Sequence, residues 1–91
     1  MRTHVNITVT GRVQKIGFRY STLEVANQLG IAGFVMNLPD GGVYIEAEGS
    51  EENIKTFIGW CHEGPRWANV EHVDVEPSSI KNFSSFEIKM S

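Results

Sequence analysis

The stretch Gln14-Lys15-Ile16-Gly17-Phe18-Arg19 carries the residues of this chain best suited to chemistry. It stands where a strand pattern stops and a helix pattern starts, and a strand-to-helix turn leaves several backbone N–H groups without partners. The start of a helix adds a partial positive charge, so the turn is a candidate anion site. Gly17 lets the chain approach a bound group closely. Arg19 brings a planar guanidinium able to form paired hydrogen bonds to phosphate oxygens. Asn37 is the second candidate: its amide offers both a donor and an acceptor, which a water-orienting residue needs. Each feature alone has an ordinary reading as well. Glycine-bearing turns next to arginine are common on solvated surfaces, and asparagine before a turn often bonds only to local backbone.

The elements that must position these residues follow from periodicity. Val5, Ile7, Val9 and Val13 alternate with Asn6, Thr8, Thr10 and Arg12, the two-residue period of a half-buried strand, with Gly11 relieving crowding on one face. Thr22, Val25, Ala26 and Leu29 follow at helical spacing, and Gly30 is a stop signal. Ile31 to Asn37 reads as a second strand and Leu38-Pro39-Asp40-Gly41-Gly42 as a turn. Val43, Ile45 and Ala47 then alternate with Tyr44, Glu46 and Glu48. Ser50 is a predicted N-cap, followed by Glu51 and Glu52 at the positive end of the helix dipole. Ile54, Phe57, Ile58 and Cys61 form the stripe of a second helix, ended by Gly64-Pro65. Val70 to Val75 is a fourth strand, and Phe83 to Ile88 a short fifth.

The order β-α-β-β-α-β predicts an α+β, ferredoxin-like sandwich: two helices on one face of a mostly antiparallel sheet of four to five strands. Right-handed crossovers make the first and second strands parallel. Their C-terminal ends then share one edge, which brings the Gln14–Arg19 turn beside Asn37.

The residues Gly11-Arg12-Val13-Gln14-Lys15-Ile16-Gly17-Phe18-Arg19 closely resemble a signature of the acylphosphatase family. A second signature of that family is matched by Gly33-Phe34-Val35-Met36-Asn37-Leu38-Pro39-Asp40-Gly41-Gly42-Val43, closed by Gly49. The resemblance spans nearly the whole chain and continues through Gly64-Pro65, Ala68 and Val70. It implies hydrolysis of the carboxyl–phosphate bond of acyl phosphates with no metal and no organic cofactor. Arg19 matches the phosphate-binding arginine, Asn37 the asparagine that positions water, and the backbone of Gln14, Lys15, Ile16, Gly17, Phe18 and Arg19 the phosphate cradle. The implied partners are a small acyl phosphate and inorganic phosphate or a similar anion. The match departs at Lys15, where the family usually has glycine. If the position requires positive φ, lysine costs roughly 1–2 kcal/mol there; it also brings a cation beside the phosphate. A relative that keeps the cradle but has lost turnover, and serves as a binding or regulatory module, is the alternative reading.

Composition narrows the classes. With 91 residues and 41% apolar content, one domain covering residues 1–91 is expected. A net charge of −3 disfavours a nucleic-acid binder, and the polar faces of the first and third strands lack the aromatic platform that base stacking needs. A single cysteine forms no internal disulfide, and Met1 to Asn6 lacks the apolar run of a signal peptide. A cytoplasmic monomer free of membrane is the expectation. His4, His62 and His72 show no metal-ligand spacing. Cys61 reads as a packed thiol, and Glu46 and Glu48 as part of a solvated face.

Overall fold

The computed structural model describes residues 1–90. The strict alternation of the first segment gives β1 (Arg2–Arg12), whose Val5, Ile7 and Val9 are buried on one side. The chain then builds α1 (Phe18–Gln28), β2 (Ala32–Asn37), β3 (Val43–Ser50), α2 (Glu51–Glu63), β4 (Asn69–Ser78) and β5 (Phe86–Lys89). The sheet order is β4-β1-β3-β2-β5, with β3 antiparallel to both β1 and β2. β1 and β2 therefore run parallel, as the crossover rule predicts. The ferredoxin-like expectation holds, and β5 adds a parallel strand at the β2 edge.

Local signals account for the boundaries. At the end of α1, Gly30 has φ 65°; its N–H donates to the Asn27 carbonyl and that of Ile31 to the Ala26 carbonyl. This paired closure satisfies the last carbonyls and needs the left-handed residue that glycine supplies. Ser50 caps α2 by accepting a hydrogen bond from the Asn53 N–H at 3.1 Å. In the β2–β3 turn, the Asp40 carboxylate accepts from the Gly42 N–H at 2.9 Å. At Gly11 the pairing of β1 with β4 slips by one residue. A Cβ there would run into the Asn69 carbonyl oxygen, so the bulge requires glycine.

The core lies between the sheet and the two helices. Ile7, Val9, Ile45 and Ala47 from the sheet meet Phe18 and Ala26 of α1 and Ile54, Phe57 and Cys61 of α2. The Cys61 thiol is pushed up to about 12 by burial, which suits a packed side chain and not a nucleophile.

The opposite face corrects the expectation for Glu46 and Glu48. Both are buried, Glu48 completely, and His4 lies between them. The His4 Nδ1 is 2.8 Å from Glu48 and its Nε2 3.0 Å from Glu46. To travel from β4 at one edge to β5 at the other, the chain must cross this face. Residues 79–85 form that strap. The backbone N–H groups of Lys81, Asn82 and Phe83 donate to the Glu48 carboxylate, and the Lys81 ammonium donates to Glu46 at 2.9 Å. Phe83 sets its ring at a tilt against His4 and edge-on against Phe34 instead of joining a strand, so β5 starts at Phe86. Alternation shows that residues share a face, but not what covers it.

Candidate active site

The Gln14–Arg19 turn and Asn37 stand together, as the topology predicts. The Gln14 side-chain amide donates to the carbonyls of Leu38 and Gly42, both at 2.8 Å. That pair of bonds ties the turn after β1 to the turn after β2. Gln14 is therefore a strut in its side chain, while its backbone stays in the turn. Ile16 packs against the core. Lys15, Gly17, Phe18, Arg19 and Asn37 line a cavity of about 280 Å³, closed by Val13, Tyr20, Ile88 and Met90. Phe18 is buried and anchors the start of α1 by packing on Trp60, with ring centres 5.5 Å apart.

The turn is shaped by two left-handed residues. Gly17 has φ 82° and Lys15 has φ 65°. Lysine in that region costs roughly 1–2 kcal/mol, so the position does demand the conformation that glycine would take without strain. Gly17 is also the N-cap of α1, with no side chain to cap the helix and no acidic residue in the first turn. Among the described residues, none of the backbone N–H groups from Gln14 to Arg19 donates to another protein group. Several donors and the positive end of a helix thus converge without a protein anion to satisfy them.

The side chains repeat this pattern. Among the described residues Arg19 makes no ion pair, and its one polar contact is Nη1 to the Met90 sulfur at 3.7 Å. Among the described residues of the lining, Lys15 and Arg19 are the charged ones, and no carboxylate joins them. Asn37 Oδ1 is the single buried side-chain polar atom without a hydrogen-bond partner among the described residues. A buried acceptor left unpaired costs about 1–3 kcal/mol unless something outside the protein satisfies it. The site therefore offers donors for an anion and one acceptor for a neutral hydrogen donor such as water. No group of three or more His, Cys, Asp or Glu side chains among the described residues could hold a metal ion.

Sequence reasoning did not single out Ile88 and Met90. Their presence follows from β5 running parallel to β2, which carries the end of the chain to the same sheet edge. The sequence predicts a short strand here, but its direction depends on the strap that precedes it.

Comparison with known proteins bears on the family and the fold. The profile of the acylphosphatase family matches residues 5–88. A protein of Nocardioides sp. described as an acylphosphatase is 46% identical over 89 residues, covering 98% of this chain and 90% of that protein. The structure of an acylphosphatase from Coxiella burnetii superposes with a TM-score of 0.94 at 34% identity, covering 97% of this chain and 93% of that one. The crystal structure of the Bacillus subtilis acylphosphatase gives 0.93 at 36% identity, covering 98% and 99%.

Proposed function

This chain belongs to the acylphosphatase family, and we propose that it hydrolyses the carboxyl–phosphate bond of acyl phosphates with Arg19, Asn37 and the amides of Gln14 to Arg19 as its machinery. The observation that carries the assignment of roles is the buried, unpaired oxygen of Asn37, a residue that lines the same cavity as Lys15 and Arg19. The phosphoryl group rests on the turn amides and the Arg19 guanidinium, which neutralise its oxygens as the transition state forms. Asn37 Oδ1 accepts a hydrogen bond from the attacking water and sets its line of approach. A new O–P bond forms from water as the P–O bond to the acyl group breaks, giving a carboxylate and inorganic phosphate. The carboxylate is a good leaving group and needs no strong acid. With no carboxylate or imidazole in the described lining, the water proton passes to an oxygen of the substrate.

The reaction proceeds in this proposal without a metal or cofactor, in a cytoplasmic monomer that folds as one unit and binds neither nucleic acid nor membrane. No helix among the described residues is long and apolar enough to cross a membrane.

The test is hydrolysis of benzoyl phosphate with and without EDTA, by the wild type, Arg19→Ala and Asn37→Ala. Turnover that survives EDTA and collapses in both variants is expected. Wild-type activity no higher than that of the variants, with phosphate still bound, would instead make the chain a phosphate-binding relative.

A further inference from the structure

β1 and β2 lead into the two halves of the site, yet they are not neighbours in the sheet. β3 stands between them, which sets them about 10 Å apart. The β1–β3 ladder ends at Val9 opposite Val43, before the chain reaches Gln14. Asn37 pairs with the same Val43 from the other side. No strand pairing therefore joins the turn after β1 to the turn after β2. Among the described residues, the hydrogen bonds between the two turns are those of the Gln14 side-chain amide to the Leu38 and Gly42 carbonyls, 2.8 Å each.

Those carbonyls are also the ones with which the second turn closes on itself. The Gly42 carbonyl accepts from the Leu38 N–H at 2.8 Å, and the Leu38 carbonyl from the Gly41 N–H at 3.2 Å. With the Gln14 amide added, each oxygen has both lone pairs engaged. The arrangement needs two hydrogens on one atom, which an –NH2 group has. A hydroxyl has one, and a carboxylate would set its oxygens against both carbonyls.

This knot reaches the peptide unit of Asn37. The Leu38 N–H belongs to the plane that carries the Asn37 carbonyl, so the turn holds Asn37 from one side while β3 holds it from the other. Gln14 itself is not part of the cavity lining, although Lys15 and Asn37 are. Its side chain joins two segments of the site without facing the space between them.

We propose that the Gln14 side chain is a positioning residue: it locks the turn after β2 to the phosphate-binding turn and so fixes the Asn37 amide, with the water it holds, in line with the phosphoryl group. This rests on the hydrolytic reading above. Gln14 acts through Asn37, on the line of attack and not on phosphate affinity.

The test is Gln14→Met, which keeps the length of the side chain and removes both hydrogens, beside Gln14→Glu, which keeps its shape and reverses the polarity. For benzoyl phosphate, kcat per folded molecule is expected to fall about 10- to 100-fold in both, the effect of misplacing a reacting group by an ångström or less. The Kd of inorganic phosphate should stay within about threefold, since the groups that hold it are untouched. An unchanged kcat overturns the proposal. So does a loss of phosphate affinity as large as the loss of kcat, which would make Gln14 a support of the cradle alone. If Gln14→Met unfolds, Gln14→Glu decides; if both unfold, Gln14 serves stability and the proposal falls. A wild type without turnover defeats the hydrolytic reading separately. The positioning is then read by nuclear magnetic resonance during a phosphate titration. In Gln14→Met the backbone amides of Lys15 to Arg19 should still shift as in wild type, and the Asn37 side-chain amide should no longer shift. An Asn37 response equal to that of wild type would contradict the proposal.

Discussion

The two helices of this protein begin in opposite ways. At α2, Ser50 accepts from the Asn53 N–H, and Glu51 and Glu52 occupy the first turn. At α1, the N-cap is a left-handed glycine with no side chain, and the first turn holds no acid. A side-chain cap stabilises a helix by about 1 kcal/mol, so α1 forgoes a contribution that α2 takes. The same contrast runs through the buried oxygens. The Glu48 carboxylate is met by His4, by three backbone N–H groups of the strap and, at 3.6 Å, by Arg2. Asn37 Oδ1 is met by nothing among the described residues. A protein able to satisfy the polar groups of one face so fully leaves those of one sheet edge open. The lesson is that the open edge is held ready for groups that arrive from outside.

The contrast can be broken most severely at the open edge. Arg19→Ala is expected to lower kcat/KM for an acyl phosphate by about 10²–10³-fold, the usual effect of removing one transition-state donor. Because Arg19 has no ion pair to lose among the described residues, the unfolding free energy should change by less than about 0.5 kcal/mol in urea.

The satisfied face should answer the other way. Burial alone would push the Glu48 carboxyl up, but the N–H groups of Lys81 and Phe83 and the His4 ring outweigh it and hold it at about 2, against 4.5 when unperturbed. A native value below the unfolded one means that the native state binds fewer protons. This stabilisation is therefore complete above pH 4.5 and is lost as pH falls toward about 2. Glu48→Gln should lower stability at pH 7 by about 3–5 kcal/mol and flatten the acid limb of a urea-unfolding series between those values. Any loss of activity should follow the loss of folded protein.

Smaller changes sharpen the difference between the two helix starts. Ser50→Ala should cost about 1 kcal/mol, near 4–8 °C in Tm for a domain of this size, with kcat/KM per folded molecule unchanged. Tyr20 is 72% exposed at the mouth of the cavity. Tyr20→Glu gives α1 the first-turn acid it lacks, and should stabilise the helix by about 0.3–1 kcal/mol. The same charge should weaken inhibition by inorganic phosphate about two- to five-fold.

Much of the open edge is legible in the sequence, and little of the satisfied face is. Alternation in β1 and β3 and the stripe Ile54, Phe57, Cys61 define the elements. The handedness of the crossover then forces the Gln14–Arg19 turn against Asn37. These are local or topological rules. Burial of Glu46 and Glu48 depends on residues 79–85, which have no periodicity and are placed only because β4 and β5 lie at opposite edges. The same distant event aims Ile88 and Met90 into the cavity. Nor does sequence alone assign the left-handed conformation of Lys15, since lysine is not a residue that advertises it.

The most direct test of the open helix start is a titration of the protein with inorganic phosphate, followed through its backbone and side-chain amides by nuclear magnetic resonance. The account predicts saturable shifts concentrated on Gln14 to Arg19 and the Asn37 side-chain amide, with Ser50 to Asn53 unmoved. Shifts absent from Gln14 to Arg19, or equal at the two helix starts, would contradict it.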